Sequence, residues 1–142
     1  MLDISYNHLG NTGVEQLTVG LMGKISLKKL SMVDCKFGRG GAEIFFQNIG
    51  RNASMTELRI DQNKVGKALH GPAGPSVIES FRDFFKDNHC LKKLSMSQCD
   101  LADESMDSFC FGLALNSTLN VLNLKDNNIS NKGAKGFADA FA

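Results

Sequence analysis

Three histidines, four cysteines and two glycine-rich runs are the residues of this 142-residue chain best suited to chemistry. His8, His70 and His89 could serve as proton carriers or metal ligands, but acid–base chemistry needs them to meet each other or a carboxylate in one site. Cys35, Cys90, Cys99 and Cys110 contain no CxxC pair, which argues against a zinc site or a redox motif. The run from Gly66 to Pro72 has the glycine spacing of a phosphate loop, yet Pro72 stands where a Lys must reach the phosphates. Gly38-Arg39-Gly40-Gly41 could open a helix whose N-terminus holds an anion. It lacks the Lys and Ser/Thr that accompany nucleotide binding, so a tight loop entering a helix is favoured. There is no GxSxG and no HExxH.

What must position these residues is a repeat. A Leu-x-Leu-x-x-Asn/Cys-x-Leu pattern recurs as Leu2-Ile4-Asn7-Leu9, Leu30-Met32-Cys35-Phe37, Leu58-Ile60-Asn63-Val65, Leu94-Met96-Cys99-Leu101 and Leu122-Leu124-Asn127-Ile129. A fixed period of this length marks stacked units rather than a closed globule. Placed on it, the three histidines fall at three different repeat positions and would not converge, and a structural or exposed role is favoured for each.

Each unit changes period halfway. Leu58-Arg59-Ile60-Asp61 alternates apolar and polar residues, as a half-buried strand does. Further on, Leu17, Phe45, Phe81, Phe109 and Phe137 share one column. Leu21, Ile49, Phe85, Leu113 and Phe141 share another, four residues later, and so on the same helical face. The phenylalanines are therefore expected in a helix-to-sheet core. Asn11 or Thr12 is the expected cap of the first helix, and Ser130 or Asn131 of the last. The Asn/Cys column lies where the strand turns into the loop, and a buried Asn there can tie adjacent corners together with two donors and an acceptor.

The repeats also order the cysteines. Cys35 and Cys99 take the Asn position two units apart, roughly 10 Å at ~4.8 Å per strand, whereas a disulfide needs Cα atoms within about 7 Å. All four are expected to be inward-facing free thiols, which favours a cytoplasmic location. Three sequons, at Asn52, Asn116 and Asn128, point towards the secretory route instead. The first two share a repeat position with Asn88, so the repeat accounts for them without glycans. A net charge of +1 gives no long-range reason to expect nucleic acid or an anionic membrane as partner. No apolar run of about 18 residues is present to span a bilayer.

On these motifs, on the 28-residue unit and on the leading apolar residues Leu27, Met55, Leu91 and Leu119, the chain resembles the leucine-rich repeat family, in its ribonuclease-inhibitor-like class. The resemblance implies an α/β fold: a right-handed solenoid, a horseshoe segment of about five repeats, with parallel strands on the concave side and helices on the convex side. It covers nearly all of residues 1–142, read as a single repeat domain with units starting near 2, 27, 55, 91 and 119 and an insertion at 67–76. The family includes ribonuclease inhibitor, sensor domains of NOD-like receptors, GTPase-activating proteins for Ran and actin-capping regulators, and no residue here selects among them. Neither end resembles a polar capping repeat, so a piece of a longer protein is expected, with end-to-end self-association through the uncapped ends.

Three columns should face outward from the strands: Lys29, Glu57, Lys93 and Val121; Asp3, Ser31, Arg59, Ser95 and Asn123; Ser5, Val33, Asp61, Ser97 and Lys125. In one reading Lys29, Glu57 and Lys93 form a charge ladder that satisfies itself, at roughly 0.2–1 kcal/mol per pair. In the other, Lys29, Glu57, Arg59, Asp61, Lys93 and Lys125 make a mixed-charge platform for a protein partner. The face is small beside the ~800 Å² per partner of a standard interface, so weak binding by this chain alone is expected. The insertion is either a second contact or a neutral loop. The function expected is a non-catalytic protein-interaction module with no cofactor or metal. The alternative is a regulatory scaffold that activates a partner enzyme such as a small GTPase through Arg39, the arginine of the strand-to-helix loops.

Overall fold

The computed structural model describes residues 1–23, 26–66 and 77–142, without the side chains of Val77 and Ile78. The insertion at 67–76 lies outside the described residues. Strand and helix alternate throughout: β1 (Leu2–Asp3), α1 (Gly10–Leu21), β2 (Lys29–Ser31), α2 (Arg39–Ile49), β3 (Glu57–Arg59), α3 (Val77–Asp87), β4 (Lys93–Ser95), α4 (Asp103–Ala114), β5 (Val121–Asn123) and α5 (Asn131–Phe141). The strands form one parallel sheet in chain order. Leu2, Leu30, Leu58, Leu94 and Leu122 lie side by side in register, so the sequence columns are the physical columns. This is an α/β leucine-rich repeat solenoid, with strands on the concave wall and helices outside.

The core lies between sheet and helices. Leu30, Leu58 and Leu94 are buried beneath the strands and meet Phe45, Ile49, Phe81, Phe85, Phe109 and Leu113 from the helices. The aromatic rings make a chain across the stacking direction. Phe46 meets Phe81 and Phe84 at 4.7 and 5.0 Å between centroids, and Phe109 meets Phe81 and Phe85 at 5.4 and 4.8 Å. Tilted and edge-on pairs of this kind add about 0.5–1.5 kcal/mol beyond area burial. Phe46 and Phe84 lie outside the two sequence columns. They are buried because α2 and α3 pack side by side and each ring fills the seam between them. Phe141, expected in the core, is 71 % exposed because its helix has a neighbour on one side only among the described residues.

Two asparagine ladders hold the turns. At the strand-to-loop corner the Asn63 amide donates to the carbonyls of Met32 and Ile60 at 2.8 Å, and its oxygen accepts from the Cys35 N–H at 3.0 Å. Asn127 repeats this against Met96, Leu124 and Cys99. Cys99 reaches back through its thiol to the Ile60 carbonyl at 3.3 Å, as Cys35 does to Ile4. Burial pushes the Cys99 thiol up to about 12. At the opposite corner, Asn52, Asn88 and Asn116 donate to the terminal carbonyls Leu21, Gly50 and Phe85 of the preceding helices. Two of the three sequon side chains are thus engaged in stacking. Cys90 alone among the cysteines is half-exposed rather than inward, because it sits on the turn just after Asn88.

The corner itself needs left-handed backbone. Tyr6, Asp34, Gln62, Gln98 and Asp126, one per repeat at one position, all have φ between 49° and 63°. No glycine occupies this position, although the conformation costs an L-residue roughly 1–2 kcal/mol.

Candidate partner-binding surface

The concave face is built by the strand register. Lys29, Glu57, Lys93 and Val121 stand in one row, and Ser31, Arg59, Ser95 and Asn123 in the next. Lys29 Nζ lies 3.0 Å from a Glu57 carboxylate oxygen. The hydrogen bond from Lys29, then the charges of Lys29, Lys93 and Arg59, hold Glu57 below its ordinary 4.5 against slight desolvation. Lys93 is exposed and in register with Glu57, but makes no ion pair among the described residues. The ladder therefore closes on one side and leaves Lys93 open. Arg59 is exposed and reaches Asp61 at 3.4 Å, a long contact that leaves most of the guanidinium to solvent. Lys125 lies 3.8 Å from Asp126, its neighbour in the chain, and is 76 % exposed.

Asp61 has a different situation from its neighbours. It lies in the third outward row but is only 4 % exposed. One carboxylate oxygen accepts from Ser95 Oγ at 2.5 Å, the Ser97 N–H at 2.8 Å and Ser97 Oγ at 2.9 Å. This ties β3 to the next turn and leaves the group little freedom to meet a partner. Ser5 does the same two junctions earlier, bonding Ser31 Oγ and the Val33 N–H. Ser31 and Val33 are buried as a result, so the usable platform is Lys29, Glu57, Arg59, Lys93 and the exposed side of β5.

The strand-to-helix edge is built from polar bridges. Asn11 does not cap α1; its oxygen accepts from the Gly38 N–H of the next repeat at 2.8 Å. That bond occupies the first donor of the Gly38–Gly41 run. Asp103 plays the same part for α5, accepting from the N–H groups of Ser130 and Gly133 and from Ser130 Oγ. Ser130 in turn caps α5 through the Lys132 N–H. Arg39 is the first residue of α2 and faces a cleft of about 440 Å³ between the second and third loops, which Lys36 and Lys64 also line. The cleft was not legible as a cavity, although Lys36 and Lys64 share a repeat position in the sequence.

His8 lies between β1 and α1, and His89 between α3 and β4, at opposite ends of the strands. His70 is outside the described residues. No group of three or more His, Cys, Asp or Glu side chains among the described residues is clustered to hold a metal. No described helix is long and apolar enough to cross a membrane.

Comparison with known proteins agrees with this geometry. A family model described as Leucine Rich repeat matches residues 2–17, 87–110 and 115–138. The chain is 30% identical over 136 residues to the NACHT, LRR and PYD domains-containing protein 3 of Bos taurus, covering 94% of this chain and 12% of the relative. The Homo sapiens protein of the same name is 28% identical over the same span, with the same coverage. Ribonuclease inhibitor of Mus musculus is 25% identical over 135 residues, covering 94% of this chain and 28% of the relative. The chain thus spans a minor part of the curated relatives it matches.

Proposed function

This chain is a leucine-rich repeat protein of the ribonuclease-inhibitor-like class, and we propose that it acts as a non-catalytic module that binds a protein partner through its concave strand face. Leucine-rich repeat domains generally mediate protein–protein interaction, and stacked repeats build broad concave surfaces suited to it. The observation that carries the reading is the row of Lys29, Glu57 and Lys93 on consecutive strands with Arg59 beside it, one cation of which is left open. Exposed Arg and charged pairs are frequent anchors at interfaces. The four free thiols support a reducing, cytosolic setting for that partner.

A photo-crosslinking amino acid at position 59 or 93 should join the partner, and the same group on the outward side of α2 should not. Arg59→Glu should weaken the complex at least about tenfold, equivalent to ~1.4 kcal/mol. Unchanged affinity in Arg59→Glu, Lys93→Glu and Glu57→Lys alike would overturn the concave reading. One observation favours a second reading, a scaffold that assists a partner enzyme: Arg39 is directed to an open cleft. Single-turnover GTP hydrolysis by a panel of small GTPases, with and without the chain, tests it. No acceleration dismisses it.

A further inference from the structure

We propose that the cleft between the second and third strand-to-helix loops is a docking site for an acidic peptide segment of a protein partner. Its volume of about 440 Å³ falls within the ~300–1,000 Å³ usual for ligand sites. Three cations from two repeats line it: Lys36, Arg39 and Lys64. The acid among the lining residues, Asp34, is held by Lys36 at 2.6 Å. Neither Arg39 nor Lys64 makes an ion pair among the described residues.

The same edge changes sign further along. Its fourth repeat carries Asp100, Asp103 and Glu104, and α4 has two acids in its first turn where α2 has none. An acidic ligand is therefore drawn to repeats two and three rather than to repeat four. The arrangement suits carboxylates on a peptide better than a compact phosphate group. The Gly38 N–H that would cradle a phosphate already donates to Asn11. The aromatic residue of the cleft, Phe37, is 1 % exposed and lies beneath it as a floor rather than as a stacking plane. Lys36 and Lys64 stand at one repeat position on adjacent loops, roughly a strand spacing of ~4.8 Å apart at the backbone. Successive carboxylates of an extended chain can meet them in turn. None of these side chains belongs to the concave rows, so the site stands or falls apart from the concave reading proposed above.

The test is a titration of the isotope-labelled chain with a hexaglutamate peptide, followed by backbone amide shifts. Shifts should centre on Gly38, Gly40 and Lys64 and should shrink as salt rises. Arg39→Glu with Lys64→Glu should weaken binding at least about tenfold. Arg39→Gln with Lys64→Gln, checked by circular dichroism for an unchanged fold, should weaken it less. Lys29→Glu with Lys93→Glu, on the concave face, should leave it unchanged. The proposal fails if millimolar peptide moves none of the three amides, or if the cleft reversals leave affinity intact. It also fails if the concave reversals abolish binding, or if inorganic pyrophosphate binds the same amides as tightly, which would make this a small-anion site.

Discussion

Two kinds of junction alternate along the solenoid. Between the second and third repeats, and again between the fourth and fifth, an asparagine reaches back and both donates to and accepts from the preceding corner. A short parallel bridge follows, Gly38 with Lys64 and Ala102 with Asn128. Between the third and fourth repeats the corner has a cysteine instead, which offers a single weak S–H donor. That junction is closed by backbone proximity and, on the strand side, by the Asp61 carboxylate that accepts from Ser95 and Ser97. A methyl group on Gly66 would lie 2.3 Å from the Asp100 carbonyl oxygen, and one on Gly112 would lie 2.7 Å from the Arg82 Cα. The corresponding approach at the second junction is looser, with a methyl group on Gly50 3.5 Å from the Phe84 Cα. The asparagine corners reach across with side-chain hydrogen bonds, and this cysteine corner coincides with the tightest backbone approach at any described glycine.

Asn63→Ala should break the polar kind of junction most severely. It strands buried donors and acceptors on both sides, each costing about 1–3 kcal/mol, and a loss of ~3 kcal/mol or more in urea unfolding is expected. Asn127→Ala should cost roughly half as much, because Asn127 is half-buried and water replaces part of what it supplied. Equal losses at the two sites would show that burial is not what sets their value. Gly66→Ala attacks the close-contact junction and should cost about 1–3 kcal/mol, since backbone must move. Gly50→Ala should be neutral or gain up to ~1 kcal/mol by stiffening the unfolded chain. A Gly50 loss as large as that of Gly66 would erase the contrast.

A smaller effect concerns acid at the last junction. Hydrogen bonds from Ser130, first its side chain and then its N–H, hold the Asp103 carboxyl below its ordinary 3.8. A depressed carboxyl contributes stability that is present above its unfolded value and is lost as pH falls through the folded one. Asp103→Asn should therefore flatten the acid limb of the melting curve and leave the neutral region nearly unchanged. The least perturbing probe is thiol labelling of the native chain. Cys90 should react first, while Cys35, Cys99 and Cys110, all raised by burial, should wait for unfolding. Equal rates at all four would contradict the packing of the corners.

Much of this was legible in the residues. The leucines announced the sheet register because a period-two strand gives each side chain one face. The inward phenylalanines followed from four-residue spacing. Other features depend on distances between repeats, which periodicity within a repeat does not encode. Asn11 read as a cap for its own helix and instead serves the next. Asp61 read as outward, as its register is, yet neighbouring serines turn it under. Phe46 and Phe84 sit off the helical stripe and are claimed by the seam between two helices. The cleft at Arg39 needed the path of two adjacent loops, one of which bends left-handed at both Asp34 and Lys36.

The alternation of junctions bears on how the molecule comes apart. Brickwork resists splitting because its joints are staggered, and here the hydrogen-bonded joints on one wall are offset from the close-contact joints. A crack that opens easily at a cysteine corner meets Gly66 pressed against Asp100 and Gly112 pressed against α3. One that starts between α2 and α3 meets Asn63. Without a plane weak on both walls, the second to fourth repeats should melt as one block, with calorimetric and van't Hoff enthalpies equal over that block, while α5 and its exposed Phe141 fray ahead of it.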